Sequence, residues 1–347
     1  TLDGGKRVAG RIRFPLLDLG WWNSDAPEQS TEQSTATRAP GDKVPGDKAP
    51  AWVFDDRPIT RITDHGVSLE LDLGAALLDL GNTQLHELAV VVRLSGQRLE
   101  LEPFSLQGAA GGKYAGRFVL DGAGPQPTVD LQVDGQGVRL GLAAVADQDP
   151  ATIPETELHV DLHGTGATAR EMASGLNGAL RLYAGPGLVP AAGLELLFND
   201  FLTELFSLLN PFAEKSPYTR LECSVAAADI VNGLVTVSPL LLNSEEITIF
   251  SQGTIDLRTE KIDLSFNTRP RTGLGLSTSV LINPFIKVGG RLAEPAIELD
   301  PKSAVVSGSA AVATVGLSLL AKSLSDRFLS SKDPCGDARK EIEKRDE

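Results

Sequence analysis

Three residues at alternate positions, His159, Asp161 and His163, are the first candidates for chemistry. Alternate side chains of an extended strand project from one face, so this trio could gather a metal ion. No fourth ligand stands nearby. The same spacing equally suits the polar side of a strand whose other side carries Leu158, Val160 and Leu162, and that is the reading adopted. Gly164 and Gly166 lack the Gly-Lys-Ser/Thr ending of a phosphate loop. No Gly-x-Ser-x-Gly elbow, His-Glu-x-x-His pair or dinucleotide fingerprint occurs, and none of the four histidines sits in a nucleophile arrangement. The acidic residues fall mostly on the polar sides of strands. The chain therefore reads as a non-enzyme with no cofactor and no bound metal. Cys223 and Cys335 are the two cysteines, and sequence alone allows a disulfide or two free thiols.

The chain has 347 residues, with 46 acidic against 32 basic side chains and a formal net charge of −14. This length can bury a large core. The charge argues against general nucleic-acid binding, which needs a basic face, and disfavours docking on anionic headgroups. It does not oppose contact with acyl chains. The 35 glycines suit many short strands joined by turns.

Most of the chain alternates with a period of two, the mark of half-buried strands. Residues 6–19 form a strand with a bend at Pro15, followed by Trp21-Trp22. Residues 23–51 contain almost nothing to bury and read as a disordered Pro/Ser/Thr/Gly-rich insertion. Order returns at 57–80, where an apolar turn is predicted at Ala75–Leu78. Strands are predicted at 84–94, 97–107, 113–121, 126–134 and 137–143, with a turn at Asp134-Gly135. Thr168 and Glu171 are spaced as a capping box for a short helix at 168–176. Residues 191–210 carry an apolar stripe at helical spacing that includes Leu197, Phe201 and Leu205. A further helix is expected near 308–329, where the uncharged run 303–321 reads as a packing helix or sheet-end plug. The tail 332–347 is charged and, apart from Cys335, expected to fray.

Residues 219–299 are the organising stretch, an antiparallel meander with turns predicted at Asn232-Gly233, Gln252-Gly253 and Thr259-Glu260. Its ordered series runs Leu221-Glu222-Cys223-Ser224-Val225, Asn232-Gly233-Leu234-Val235, Leu240-Leu241-Leu242-Asn243-Ser244, Ile247 to Leu257, and Phe285-Ile286-Lys287-Val288-Gly289-Gly290-Arg291-Leu292. This order, with Leu176-Asn177-Gly178 after the short helix, resembles the C-terminal region of the AsmA family. That envelope family of Gram-negative bacteria includes TamB-like proteins and is similar to bridge-like lipid transfer proteins.

The resemblance implies a mainly β fold with a few helices, a long antiparallel meander curved into a groove with amphipathic helices at or over it. It divides the chain into an N-terminal part, 1–150, and an AsmA-like part, 151–331. It implies a periplasmic protein that holds or conducts phospholipid and supports outer-membrane lipid transport and assembly. An inner-membrane helix upstream of Thr1 would anchor it. In that compartment a Cys223–Cys335 bridge would persist. The apolar groove is assigned to Leu69, Leu71, Leu99, Leu101, Leu131, Ile247, Ile249, Ile255, Leu257, Ile262 and Leu264. A helical lid is assigned to Leu197, Phe201 and Leu205. The alternative is a non-catalytic scaffold that binds an envelope protein through a sheet edge.

Overall fold

The computed structural model describes residues 6–19, 52–59, 62–64, 66–80, 84–139, 149–190, 218–271, 286–299 and 326–347. The 23–51 insertion, the 191–210 helix with Leu197, Phe201 and Leu205, and the 303–321 run lie outside these residues.

The described chain is one open, curved, groove-like sheet of 15 strands. The first six are β1 (Lys6–Asp18), β2 (Val67–Asp79), β3 (Gln84–Ser95), β4 (Arg98–Gln107), β5 (Lys113–Asp121) and β6 (Thr128–Arg139). Next come β7 (Glu155–Thr165), helix α1 (Ala169–Ser174), β8 (Asn177–Ala184) and the short β9 (Gly187–Pro190). The remainder is β10 (Tyr218–Val231), β11 (Leu234–Ser244), β12 (Ile247–Asp256), β13 (Lys261–Pro270), β14 (Ile286–Arg291), β15 (Glu294–Leu299) and helix α2 (Pro334–Asp346). Strand neighbours follow chain order from β1 to β15, except that β8 lies beside β10 and β9 pairs with the start of β10.

Turn chemistry explains the antiparallel connections. At the β10–β11 corner Asn232 and Gly233 both take positive φ, 49° and 75°, as a two-residue hairpin turn demands. Thr168 Oγ1 accepts from the Glu171 amide at 3.1 Å, so the predicted cap forms, but Glu171 reaches back one residue further than a capping box requires, to the Ala167 amide at 2.8 Å.

Several local expectations are corrected. β1 and β2 pair in parallel, because the 48 residues between them are long enough for a crossover return. β1 continues through Pro15 to Asp18, since an edge strand tolerates a missing N–H. Ala75–Leu78 is not a turn but the end of β2, paired on both sides with β1 and β3. At Asp134-Gly135 β6 runs on to Arg139, with a register shift between Gly135 and Val138. At Gln252-Gly253 β12 also runs straight through. A Cβ on Gly253 would lie 2.0 Å from the Asp263 carbonyl oxygen, so this glycine marks close strand approach.

The tail does not fray. Asp333 caps α2 by accepting from the Gly336 amide, and Ala338 and Ile342 are fully buried beneath it. These two residues join Val225, Ala227, Leu241, Phe250, Phe328 and Cys335 in a buried core against β10–β12. The Phe250 and Phe328 rings lie 5.7 Å apart. A disulfide links Cys223 of β10 to Cys335 of α2. At the other end of α2, Arg181 Nη2 and Nε donate to Asp346 at 2.7 and 3.1 Å.

Residues 52–59 lie along the turn-bearing end of the sheet. The Trp52 ring is held between the guanidinium groups of Arg170 and Arg291, at 3.8 and 3.6 Å. Fully buried Glu260, in the β12–β13 turn, accepts from the Val53 and Phe54 amides at 3.0 and 2.8 Å. Further along, the Ile59 amide donates to the Ala167 carbonyl at 2.8 Å.

Candidate functional site

Residues opposed across a strand pair share a face, so the register identifies which side chains stand together. Leu71 opposes Val92, Val92 opposes Leu101, Leu101 opposes Phe118 and Phe118 opposes Leu131. Leu131 opposes Leu162, and from there the rung crosses Gly178, Ile230 and Val235 to Ile255 and Ile262. A neighbouring rung carries Leu264, Val288 and Ile297 to the last strand. One face of the sheet is therefore apolar from end to end.

Ten of the eleven residues assigned to the groove lie on this face by register: Leu69, Leu71, Leu99, Leu101, Leu131, Ile247, Ile249, Ile255, Ile262 and Leu264. Leu257 lies beyond the end of β12, in the turn, where its amide donates to the Gly233 carbonyl at 2.8 Å. The ten fall into two environments. Leu69, Leu71, Leu99, Leu101, Leu131, Ile255, Ile262 and Leu264 are half-buried. Ile247 and Ile249 are buried in a cluster with Phe266, Ile286 and Val288. Val92, Phe118, Val160, Leu180, Leu182, Val235, Leu242, Val288 and Ile297 belong to the same face and were not assigned from sequence. Their alternate spacing was the available signal, but only register places them with the others.

The opposite face is ionic over the first strands. Arg11 Nε lies 2.8 Å from Asp72, and Arg98 lies 2.7 Å from Glu100 and 2.9 Å from Asp121. The arginine contacts hold the Asp72 carboxyl below the ordinary carboxylate range. His159 and His163 pair across to Asp134 and Asp130, each at 2.7 Å, and Asp161 accepts from Gln132 at 3.1 Å. The trio thus forms three rungs of a polar ladder with β6. Among the described residues no group of three histidine, cysteine or acidic side chains could hold a metal ion.

The two faces differ in cover. From β10 to β12, α2 and the Phe328 segment cover the opposite face with a buried apolar core. The apolar face keeps most of its leucines and valines half-buried across β2 to β8, with Val90 and Val138 buried. A sheet face of this composition gains stability from being covered, by area and without directed chemistry. No helix among the described residues is long and apolar enough to cross a membrane.

The chain is similar to "AsmA family protein YhjG" of Escherichia coli (strain K12), with 24% identity over 245 residues. This supports an AsmA-family relationship. The match takes in 68% of the present chain and 34% of the YhjG protein, so the chain spans about a third of that relative's length. No family model matches the chain, and no solved structure does.

Proposed function

We propose that the chain holds or conducts phospholipid acyl chains on the apolar face of its open sheet. It would act without covalent chemistry, as part of an AsmA-type cell-envelope protein that supports outer-membrane lipid transport. The observation that carries this reading is the apolar rung running from Leu71 to Ile262, half-buried except at Ile230. Each methylene that leaves a bilayer for water costs about 0.8 kcal/mol. Ten methylenes laid on this face would recover much of roughly 8 kcal/mol, which lowers the barrier to moving a chain between membranes.

Two further features support the reading. The Cys223–Cys335 bridge suits an oxidising compartment, the periplasm for an envelope protein of this family. The net charge of −14 keeps the exterior from adhering to anionic headgroups, so that contact with lipid is confined to the apolar face. On this reading the protein is anchored in the inner membrane by a segment outside the present chain.

The test is native mass spectrometry of the gently purified chain, followed by lipid extraction. The expected result is bound phospholipid that is lost in Leu101→Asp and Leu131→Asp variants of unchanged fold. A clean apo mass would overturn the reading and leave the scaffold alternative. Leu101 and Leu131 are better probes than Ile249 or Leu257. Ile249 is packed in a buried cluster, where an aspartate would threaten folding, and Leu257 sits in a turn.

A further inference from the structure

Gly164 shows on which side of the sheet α1 lies. It opposes Val129 near the end of β7 and shares the apolar face with Leu162. A Cβ built on it would stand 2.7 Å from Met172 Sδ and 3.4 Å from Leu176 Cδ1. Met172 and Leu176 therefore fold over the apolar face at its turn-bearing rim, and the missing side chain makes the room. α1 also meets the β10–β11 corner, where a Cβ on Gly233 would lie 2.7 Å from the Ser174 carbonyl oxygen.

The 52–59 segment pins α1 from outside. The Arg170 amide donates to the Asp55 carbonyl at 3.1 Å, Arg170 Nη2 donates to the Phe54 carbonyl at 3.2 Å, and Arg170 Nε lies 2.9 Å from Asp56. Pro58 bridges to Thr168, the N-cap of α1. The same segment is fastened to the far strands through Glu260 and Arg291. α1 precedes β8, and β14 lies five strands beyond β8 in the sheet. At about 4.8 Å per strand that is roughly 24 Å. Yet Arg170 and Arg291 meet the same indole ring, so Trp52 ties α1 to β14 across the intervening strands. The ring also separates two like charges, which Asp56 and Glu260 face from either side, with Arg291 Nη2 3.9 Å from Glu260. None of residues 52–59 is buried, and Trp52 and Val53 are 40% and 54% exposed. A segment held by polar and ring contacts, with so little apolar burial, opens far more readily than the sheet beneath it.

We propose that the 52–59 segment is a latch, with Trp52 at its centre, that holds α1 over the rim of the apolar face and gates the passage of an acyl chain across that rim. The inference rests on the acyl-chain reading of the face. Latched, Met172 and Leu176 occupy the rim at Gly164. Released, α1 keeps only its packing on Gly164 and Gly233, and a helix of six residues does not hold its place alone. The surface from Leu71 to Ile262 is the same in both states, so the latch sets rates of entry and exit and leaves equilibrium occupancy alone.

The test compares the full chain with its Trp52→Ala variant and with Trp52→Phe, which keeps a ring between the two guanidinium groups. Hydrogen exchange is read first. Trp52→Ala is expected to speed exchange of the Val53, Phe54, Arg170 and Met172 amides together, by about tenfold, while Leu241 and Phe250 in the core stay protected. Trp52→Phe should restore most of the protection. Uptake of a pyrene-labelled phosphatidylcholine from phosphatidylcholine vesicles is then followed by stopped flow. Trp52→Ala should take up and release the lipid at least about threefold faster and reach the same final occupancy. Faster exchange at Val53 and Phe54 with α1 unchanged would show that the segment does not hold the helix, and would overturn the latch. Uptake at the unaltered rate despite faster α1 exchange would overturn the gate and leave the acyl-chain reading standing. No uptake by any of the three proteins would overturn that reading, and the gate with it.

Discussion

Arg181 shows how a single side chain can fasten a distant segment. It is nearly fully buried on the face opposite the apolar one and donates to both Asp229 and Asp346, the latter 165 residues away. The guanidinium holds the Asp346 carboxyl below its ordinary value of 3.8. A depressed carboxylate contributes its stability above the unfolded-state value and loses it as pH falls through the lowered one. The C-terminal turn of α2 should therefore loosen below about pH 4. Hydrogen exchange of the α2 amides at pH 5 and pH 3, corrected for intrinsic rate, should show faster opening at the lower pH. Asp346 is partly exposed, so Asp346→Asn should cost only about 1 kcal/mol in a denaturant titration. Gly253 makes the opposite kind of claim. Its missing Cβ leaves room for the Asp263 carbonyl, so Gly253→Ala should lower the denaturant midpoint by about 1–3 kcal/mol worth of stability. Neither role was legible in the sequence. A glycine after glutamine reads as a turn until its strand neighbour is known, and an arginine gives no sign of which carboxylates it will meet.

At the scale of elements, α2 is the largest departure from expectation. Its sequence is mostly charged, and charge alone suggested a frayed tail. Ala338, Ile342 and Cys335 supply a narrow buried stripe, and the disulfide ties its first turn to β10. Removing the bridge with Cys223→Ser and Cys335→Ser should lower stability, with the chain-entropy model setting a ceiling of about 5 kcal/mol. The same loss should follow addition of reductant to the unaltered chain, read as a fall in denaturant midpoint. The 52–59 segment gives a second element-scale prediction. Trp52→Ala should cost about 1–2 kcal/mol through loss of the two guanidinium contacts. It should also raise exchange at Val53 and Phe54, whose amides depend on Glu260. The helix cap at Thr168 and the Asn232-Gly233 hairpin were legible because each is closed by residues a few positions apart. The Trp52 clasp joins residues 118 and 239 positions away, and local pattern cannot reach that far.

At the scale of the molecule, the apolar face predicts that position along the sheet matters less than side. Leu101→Asp and Leu131→Asp lie on different strands, yet both should reduce bound lipid. Ser265→Asp, on the opposite side of β13, should leave occupancy unchanged in the same mass-spectrometric assay. The sequence by itself determined the strand-rich fold, the alternation of apolar and polar residues, the absence of enzymatic motifs and the AsmA resemblance. These are properties of local period and of residue order, which a strand carries wherever it is placed. Tertiary structure alone decided that the separate alternations fall in register on one face, because a slip of one residue between any two strands would turn half the leucines outward. It also decided that β1 returns parallel to β2 and that α2 covers the opposite face. Those outcomes depend on contacts between segments tens to hundreds of residues apart, where the energy lies in which surfaces meet.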